Sequence, residues 1–225
     1  MVSIERAVVL DIKEYEDNKF LVTFFSQRGA FSLYAQGLDK PYSKNRNNLI
    51  IGSIVELEYF RARFDTKVGK LKKASVAKLF DTTNVGNNLF FNKLKTVFQN
   101  IKIPNHLFTE YDRYFYEIGK HNNDYILTYF VAQLLVVLGY CNYFNKCRVC
   151  GSTRNFASFD IQYGGFICIK HDGIETDIDI PTLQCIWSSF HSFNSYMYQA
   201  NNVINKFILN NYVKFLYTQG IYIEK

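Results

Sequence analysis

Proline is scarce in this chain: 3 of 225 residues, against 21 Phe and 17 Tyr. An AT-rich genome produces that bias as readily as selection does, so aromatic abundance alone is no evidence for base stacking. Internal repeats and low-complexity tracts are also lacking, which removes solenoids and disordered linkers from consideration. The longest apolar segment, "YILTYFVAQLLVVLGY", contains Thr128 and Gln133 and falls short of the roughly 20 residues needed to cross hydrocarbon. It is expected to be a buried helix, with no membrane partner. The opening "MVSIERAVVL" places Glu5 and Arg6 where the apolar core of a secretion signal would run, so a cytoplasmic protein is expected. No His-x-Glu pair occurs, and Lys146 rather than proline precedes the Cys-x-x-Cys element. Both departures argue against a zinc deaminase.

What is present divides near residue 80. Hydrophobic residues make up 48% of the chain, enough for a packed core, and the net charge of +6 is concentrated toward the N-terminus. Residues 1–80 hold 14 Lys+Arg against 9 Asp+Glu, while the remainder holds 12 against 11. Within the first 80 residues, "RAVVLDIKEY", "FLVTFFS", "AFSLYAQ", "LIIGSIVELEYF" and "KLKKASVAKLF" read as five strands. Val55, Leu57 and Tyr59 alternate with Glu56 and Glu58, the pattern of a strand with one wet face. Gly29 suits a tight hairpin between the second and third strands. Five antiparallel strands of this size fit a small OB-like barrel, with an SH3-like barrel as the alternative. The polar connection "GLDKPYSKNRNN" is long enough to be functional or disordered, and its Lys40, Lys44 and Arg46 favour the first.

Beyond Phe80 the apolar spacing becomes helical. "NNLFFNKLKTVFQNI" and "PNHLFTEYDRYFYEIGK" are amphipathic, the second with Pro104 at its first turn. Asp124–Leu138 is apolar almost all round and should be the central helix, ended by Gly139. "PTLQCIWSSFHSFNSYMYQ" and "NNVINKFILNNYVKFLYTQG" follow, the latter with Asn201 or Asn202 as its cap and Gly220 as its stop. The expected class is therefore α+β: a barrel at 1–80 and a mainly helical domain at 81–225. A small cysteine-bearing insertion interrupts the helical domain at about 145–175.

That insertion carries two matched pairs. Cys147 and Cys150 are separated by two residues, as are Cys168 and His171, with 17 residues between Cys150 and Cys168. This is zinc-ribbon spacing, because each short knuckle lets two side chains converge on one ion. Gly151 and Gly164-Gly165 supply the backbone freedom, and Phe156, Phe159 and Phe166 could cover the site. A variant in which the three cysteines bind and Asp172 or water completes the set remains open. So does a set of four unrelated buried residues. Four protein ligands close a tetrahedron, so the zinc is expected to be structural and the protein not an enzyme. In a reducing compartment Cys141 and Cys185 are left as small buried hydrophobes.

From Arg28 to Lys78 there are 11 basic residues and four acidic ones. Candidate DNA-contacting residues are Arg28, Lys40, Lys44, Arg46, Arg61, Arg63, Lys67, Lys70, Lys72 and Lys73. Cations track phosphates, and Phe60 or Phe64, if exposed, could stack on bases. A basic face solvated by water is the alternative, and the two phenylalanines could equally be core.

The order of parts resembles the RecO family of bacterial recombination mediators. The resemblance runs over the whole chain and rests on the barrel's "VVL" strand, Gly37–Ser43, Leu138–Tyr140 before the first knuckle, "CRVCG", and Gly164-Gly165 before Cys168. Two departures are His171 in place of a fourth cysteine and a basic run thinned to Leu38-Asp39-Lys40. The resemblance implies a protein that binds single- and double-stranded DNA and anneals complementary strands. With RecR, it would help load RecA onto single strands coated by the single-strand binding protein SSB, in a cytoplasmic, nucleoid-associated setting. A zinc-ribbon scaffold preferring RNA and a zinc-dependent hydrolase are the competing classes.

Overall fold

The computed structural model describes residues 2–62, 67–171 and 178–223. The chain forms two compact units, Met1–Gly119 and Lys120–Lys225. The first therefore continues past the change of composition at residue 80.

Five strands build the first unit: β1 (Val2–Glu16), β2 (Lys19–Ser26), β3 (Gly29–Gln36), β4 (Ile54–Phe60) and β5 (Gly69–Lys78). They close in the order β1-β2-β3-β5-β4, with β4 returning to β1. All neighbours are antiparallel except β3 and β5, which are parallel. This ring is the arrangement expected of an OB-like barrel, and closing it leaves no free sheet edge. Strand β1 is long because it serves two partners. Val2–Val8 pairs with β4, Val8–Glu16 pairs with β2, and a bulge at Leu10 lets the strand bend between them.

Alternation along the strands sorts side chains to two layers. Ala7, Val9, Val22, Phe24, Leu33, Val55, Leu57 and Tyr59 fill the barrel. Phe25 has the opposite parity and stacks instead on Phe98, with centroids 4.2 Å apart. Phe98 belongs to α1 (Val85–Gln99), and α2 (Leu107–Tyr114) adds Tyr111, whose ring meets Phe98 edge-on. The Tyr111 hydroxyl donates to the Gly52 carbonyl at 2.7 Å, so its polar end is satisfied in a fully buried position. Gly29 has φ +98°, and an added Cβ would lie 2.8 Å from the Ile101 carbonyl oxygen. The β2–β3 turn thus needs glycine for its conformation and for the approach of the backbone after α1.

Two details of this unit differ from the sequence expectation. The fourth strand begins at Ile54, not Leu49, because Gly52 turns at φ +86° against the Phe80 ring and Leu49 enters the barrel core. Pro104 precedes the second helix: Asn105 Oδ1 accepts from the Leu107 N–H and starts that helix three residues later. The β3–β4 connection is ordered along β5. Asn45 Oδ1 accepts from the Ala74 N–H at 2.9 Å, and Asn48 Nδ2 donates to the Lys44 carbonyl.

The second unit contains α3 (Asn123–Val137), a hairpin of β6 (Phe156–Asp160) and β7 (Gly165–Cys168), then α4 (Ile180–His191), α5 (Phe193–Gln199) and α6 (Asn202–Thr218). Helix α3 is buried on nearly every side and packs against α4, α5 and α6. Its two mid-helix polar residues have partners. Gln133 Nε2 donates to the carbonyls of Ser189 and Phe190 at the end of α4, and Thr128 Oγ1 lies 2.8 Å from Asn205 Oδ1. Gly139, at φ +77°, ends the helix with its N–H bonded to the Val136 carbonyl. The segment read as one helix from Pro181 is two, because Ser192 is extended and its hydroxyl caps α5. Among the described residues, no helix is long and apolar enough to cross a membrane.

Candidate metal centre and nucleic-acid interface

The four ligand-type residues of the insertion converge. Cys147, Cys150, Cys168 and His171 present donor atoms that all lie within 4.8 Å of one another. Cys150 Sγ is 3.7 Å from Cys168 Sγ, while His171 Nδ1 is 3.4 Å from Cys168 Sγ and 4.0 Å from Cys147 Sγ. Two sulfurs each about 2.3 Å from a tetrahedral ion lie about 3.8 Å apart. The cluster therefore has the size and the donor chemistry to hold a metal ion. Asp172, the substitute fourth ligand considered above, lies outside the described residues.

Local hydrogen bonding explains the convergence. In the first knuckle Gly151, at φ +73°, donates to the Cys147 carbonyl at 2.8 Å, and the Cys147 N–H donates to Ser152 at 2.7 Å. The second knuckle repeats the turn, with the His171 N–H on the Cys168 carbonyl at 2.9 Å. The Arg148 N–H bonds the Phe166 carbonyl and ties one knuckle to the other strand. Gly165 is where the chain after α3 crosses the hairpin. The Tyr143 N–H donates to Gly164, and the Phe166 N–H donates to Tyr143. A Cβ on Gly165 would overlap the Tyr143 carbonyl.

Burial pushes the Cys147 thiol up, but backbone N–H groups of Cys150, Cys168 and Val149 outweigh that and lower it to about 6. Cys150 moves the other way. An N–H from Ser152 favours its thiolate, yet burial and the neighbouring Cys168 and Cys147 sulfurs raise it. The sulfurs thus divide between one poised as thiolate and one that gives up a proton on ligation. The apolar residue clustered with Cys147 and Cys168 is Ile167. Phe159 joins the hairpin to α4 and α6, meeting Phe166 within the hairpin and Phe190 and Tyr212 outside it. Cys141 and Cys185 are buried elsewhere, and burial pushes Cys141 up to about 12.

On the barrel, the basic residues separate into groups. Arg28, Arg61 and Lys67 line one groove of about 430 Å³ together with Phe31, Tyr59 and Val68. The Arg28 guanidinium lies 3.6 Å above the Phe31 ring, and its Nε is held by Glu5 at 3.2 Å. That geometry fixes the guanidinium plane over an aromatic face. Lys70, Lys72 and Lys73 are exposed on β5, where a bulge at Lys72 turns two consecutive lysines outward. Lys72 is paired with Glu58 at 2.9 Å. Lys40 lines a second groove, of about 580 Å³, with Lys19, Gln36 and Tyr42. Lys44 and Arg46 are exposed on the β3–β4 connection and line neither groove. Arg46 donates to the Asp39 carbonyl. Phe60 is 44% exposed; Arg63 and Phe64 lie outside the described residues. The sequence reading missed Phe31, although its position three residues after Arg28 across a glycine turn was a usable signal.

Two family models match separate parts of the chain. Residues 1–80 match the family model described as "Recombination protein O N terminal", and residues 100–178 match "Recombination protein O C terminal". A DNA repair protein RecO of Mesoplasma florum is 27% identical over 175 residues, which are 72% of this chain and 64% of that relative's length. Proteins of the same name from Bacillus cytotoxicus and Bacillus anthracis are 22% and 20% identical over 174 residues, covering 73% of this chain and 68% of each relative.

Proposed function

The chain belongs to the recombination protein O family, and from that premise we infer that it is a DNA-binding recombination mediator acting in repair. The observation that carries this reading is the convergence of Arg28, Arg61 and Lys67 with Phe31 and Tyr59 on one groove of the barrel. Cations gathered on one groove can track a phosphate backbone, with the buried Tyr59 and the Phe31 ring under Arg28 fixing where those cations stand. Lys70, Lys72 and Lys73 extend the basic surface along β5.

In this reading the protein anneals complementary single strands and, with RecR, helps load RecA on strands coated by SSB, in the cytoplasm at the nucleoid. Annealing asks for charge screening: the barrel's cations let two polyanions approach, and base pairing then supplies the free energy. None of these steps uses a nucleophile or a general base. Cys147, Cys150, Cys168 and His171 would hold zinc, which supplies cross-linking of two knuckles that bury little core of their own. With four protein ligands the site has no position kept for water, so its role is structural.

The test is titration of labelled single strands, duplex and RNA of equal length at several salt concentrations. The slope of log affinity against log salt should be about −0.7 for each phosphate contacted on single strands. Arg61→Glu, and Lys44→Glu with Arg46→Glu, should weaken binding and flatten that slope. Binding indifferent to both salt and these substitutions would sink the proposal, and tighter binding of RNA would move it to an RNA-binding scaffold. Annealing with and without an SSB coat tests the mediator role.

A further inference from the structure

A second feature of the barrel belongs to neither the cationic groove nor the core. Tyr15, near the end of β1, and Tyr34, in β3, are 47% and 38% exposed, yet their rings meet with centroids 5.3 Å apart at 44°. The barrel interior is filled without them. Tyr34 pairs in register with Leu21 of β2 and Lys70 of β5. Gln36, two residues on and so on the same face, lines the groove that also holds Lys19, Lys40 and Tyr42. Tyr42 is 97% exposed. Tyr34, in contact with Tyr15, thus shares a strand face with Gln36 of a polar groove that also carries Lys19, Lys40, Asp17 and the Asn18 amide.

Charge here is balanced, unlike in the Arg28 groove. Lys19 is paired with Glu16 and Lys13 with Asp11, while Asp17 lines the groove and Glu14 is exposed. A ligand on this face gains little from net attraction, so its affinity must come from stacking. Double-stranded DNA presents phosphates and groove edges but not base faces; unpaired bases present both faces. We propose that Tyr15 and Tyr34 form a stacking platform for unpaired bases of single-stranded DNA, and that this face, not the cationic groove, sets the preference for single over double strands. The proposal rests on the DNA-binding reading above and assigns strand selectivity within it.

The test compares the wild type with Tyr15→Ala/Tyr34→Ala and Tyr15→Phe/Tyr34→Phe, using fluorescence anisotropy of an oligothymidylate and of a hairpin duplex at several salt concentrations. Stacking of one base is worth about five- to a hundredfold in affinity. The alanine pair should lose that factor on the single strand, bind the duplex within about twofold of wild type, and keep the wild-type salt slope, because no charge was removed. The phenylalanine pair should bind like the wild type. Photocrosslinking of a 5-bromouracil oligonucleotide to the wild type should label Tyr15 or Tyr34. Equal loss on both ligands, a changed slope, no loss on the single strand, or labelling confined to other residues overturns the proposal. If the wild type itself binds DNA without salt dependence, the DNA-binding reading has failed first. If it binds normally and the alanine pair does too, only the platform has failed.

Discussion

Gly165→Ala tests whether the crossing at Tyr143 holds the metal cluster together. Gly165 has φ +147°, and an added Cβ would overlap the Tyr143 carbonyl oxygen, lying 2.6 Å from its carbon and 2.7 Å from its Cβ. The hydrogen bonds on either side, Tyr143 N–H to Gly164 at 3.0 Å and Phe166 N–H to Tyr143 at 3.1 Å, would both open. Each such bond contributes about 1 kcal/mol net, and a residue other than glycine at this backbone conformation costs about 1–3 kcal/mol, for a total of about 3–5 kcal/mol. Gly151→Ala is the internal control. Its φ is +73°, but its Cβ position is open, with nothing within 4 Å; the cost is then about 1 kcal/mol from conformation alone. Urea denaturation of zinc-loaded protein, following the transition that releases zinc, should place Gly165→Ala about 2–4 kcal/mol below Gly151→Ala. Two variants within about 0.5 kcal/mol of each other would refute the argument that close approach, beyond the torsion angle, makes Gly165 necessary.

Further outcomes follow from the same geometry. Cys150→Ser should lower zinc content and stability together, with DNA binding lost only in proportion to the unfolded fraction; a folded, zinc-loaded variant inert toward DNA would give the cluster a direct role. Because the Cys147 thiol is lowered to about 6 and that of Cys150 is raised, Cys147 is already ionised at pH 7.5 and Cys150 is not. Calorimetry in buffers of different ionisation enthalpy should show proton release on zinc binding, falling by about one in Cys150→Ser. Release unchanged in that variant would contradict the assignment. Asn205 Oδ1 lies 2.8 Å from Thr128 Oγ1 and 2.6 Å from the Tyr196 hydroxyl, all buried. Asn205→Ala takes the Asn205 acceptor from the buried Tyr196 hydroxyl while Thr128 Oγ1 keeps the Asp124 carbonyl, and should cost about 1–3 kcal/mol in chemical denaturation, whereas a loss under about 0.5 kcal/mol would mean that water takes its place.

Features set by short-range chemistry were legible in the residue order. Alternation in "VELEY", the glycine between β2 and β3, the two knuckles at ribbon spacing, and Gly139 after an all-apolar helix each depend on residues a few positions apart. Asn201 capping α6 and Gly220 beyond its end are of the same kind. Errors arose where a distant neighbour decided the outcome. "LIIG" has strand composition but becomes a turn because the Phe80 ring sits against Gly52. The course of "SKNRNN" is also set at a distance, since Asn45 lays it along β5 through the backbone of Ala74.

The candidate sites divide along the same line. A metal cluster is recoverable from sequence because each knuckle is local and its residue types are rare. A cationic surface is not: lysines spread over fifty residues report charge, but only the ring closure of β3 onto β5 brings Arg28, Arg61 and Lys67 to one groove while leaving Lys44 and Arg46 elsewhere. Aromatic residues are harder still in a chain with 38 Phe and Tyr. Tyr59 and Tyr34 both sit in strands with β-branched or apolar neighbours. One is buried in the barrel with its hydroxyl on Glu5 at 2.8 Å, and the other is exposed beside Tyr15. Parity along a strand separates them once the register is known, and in β4 and β5 that register is shifted by a bulge at Lys72. Base-stacking capacity therefore had to be read from the assembled sheet, since the property that distinguishes a platform from a core ring is which face of the barrel it occupies.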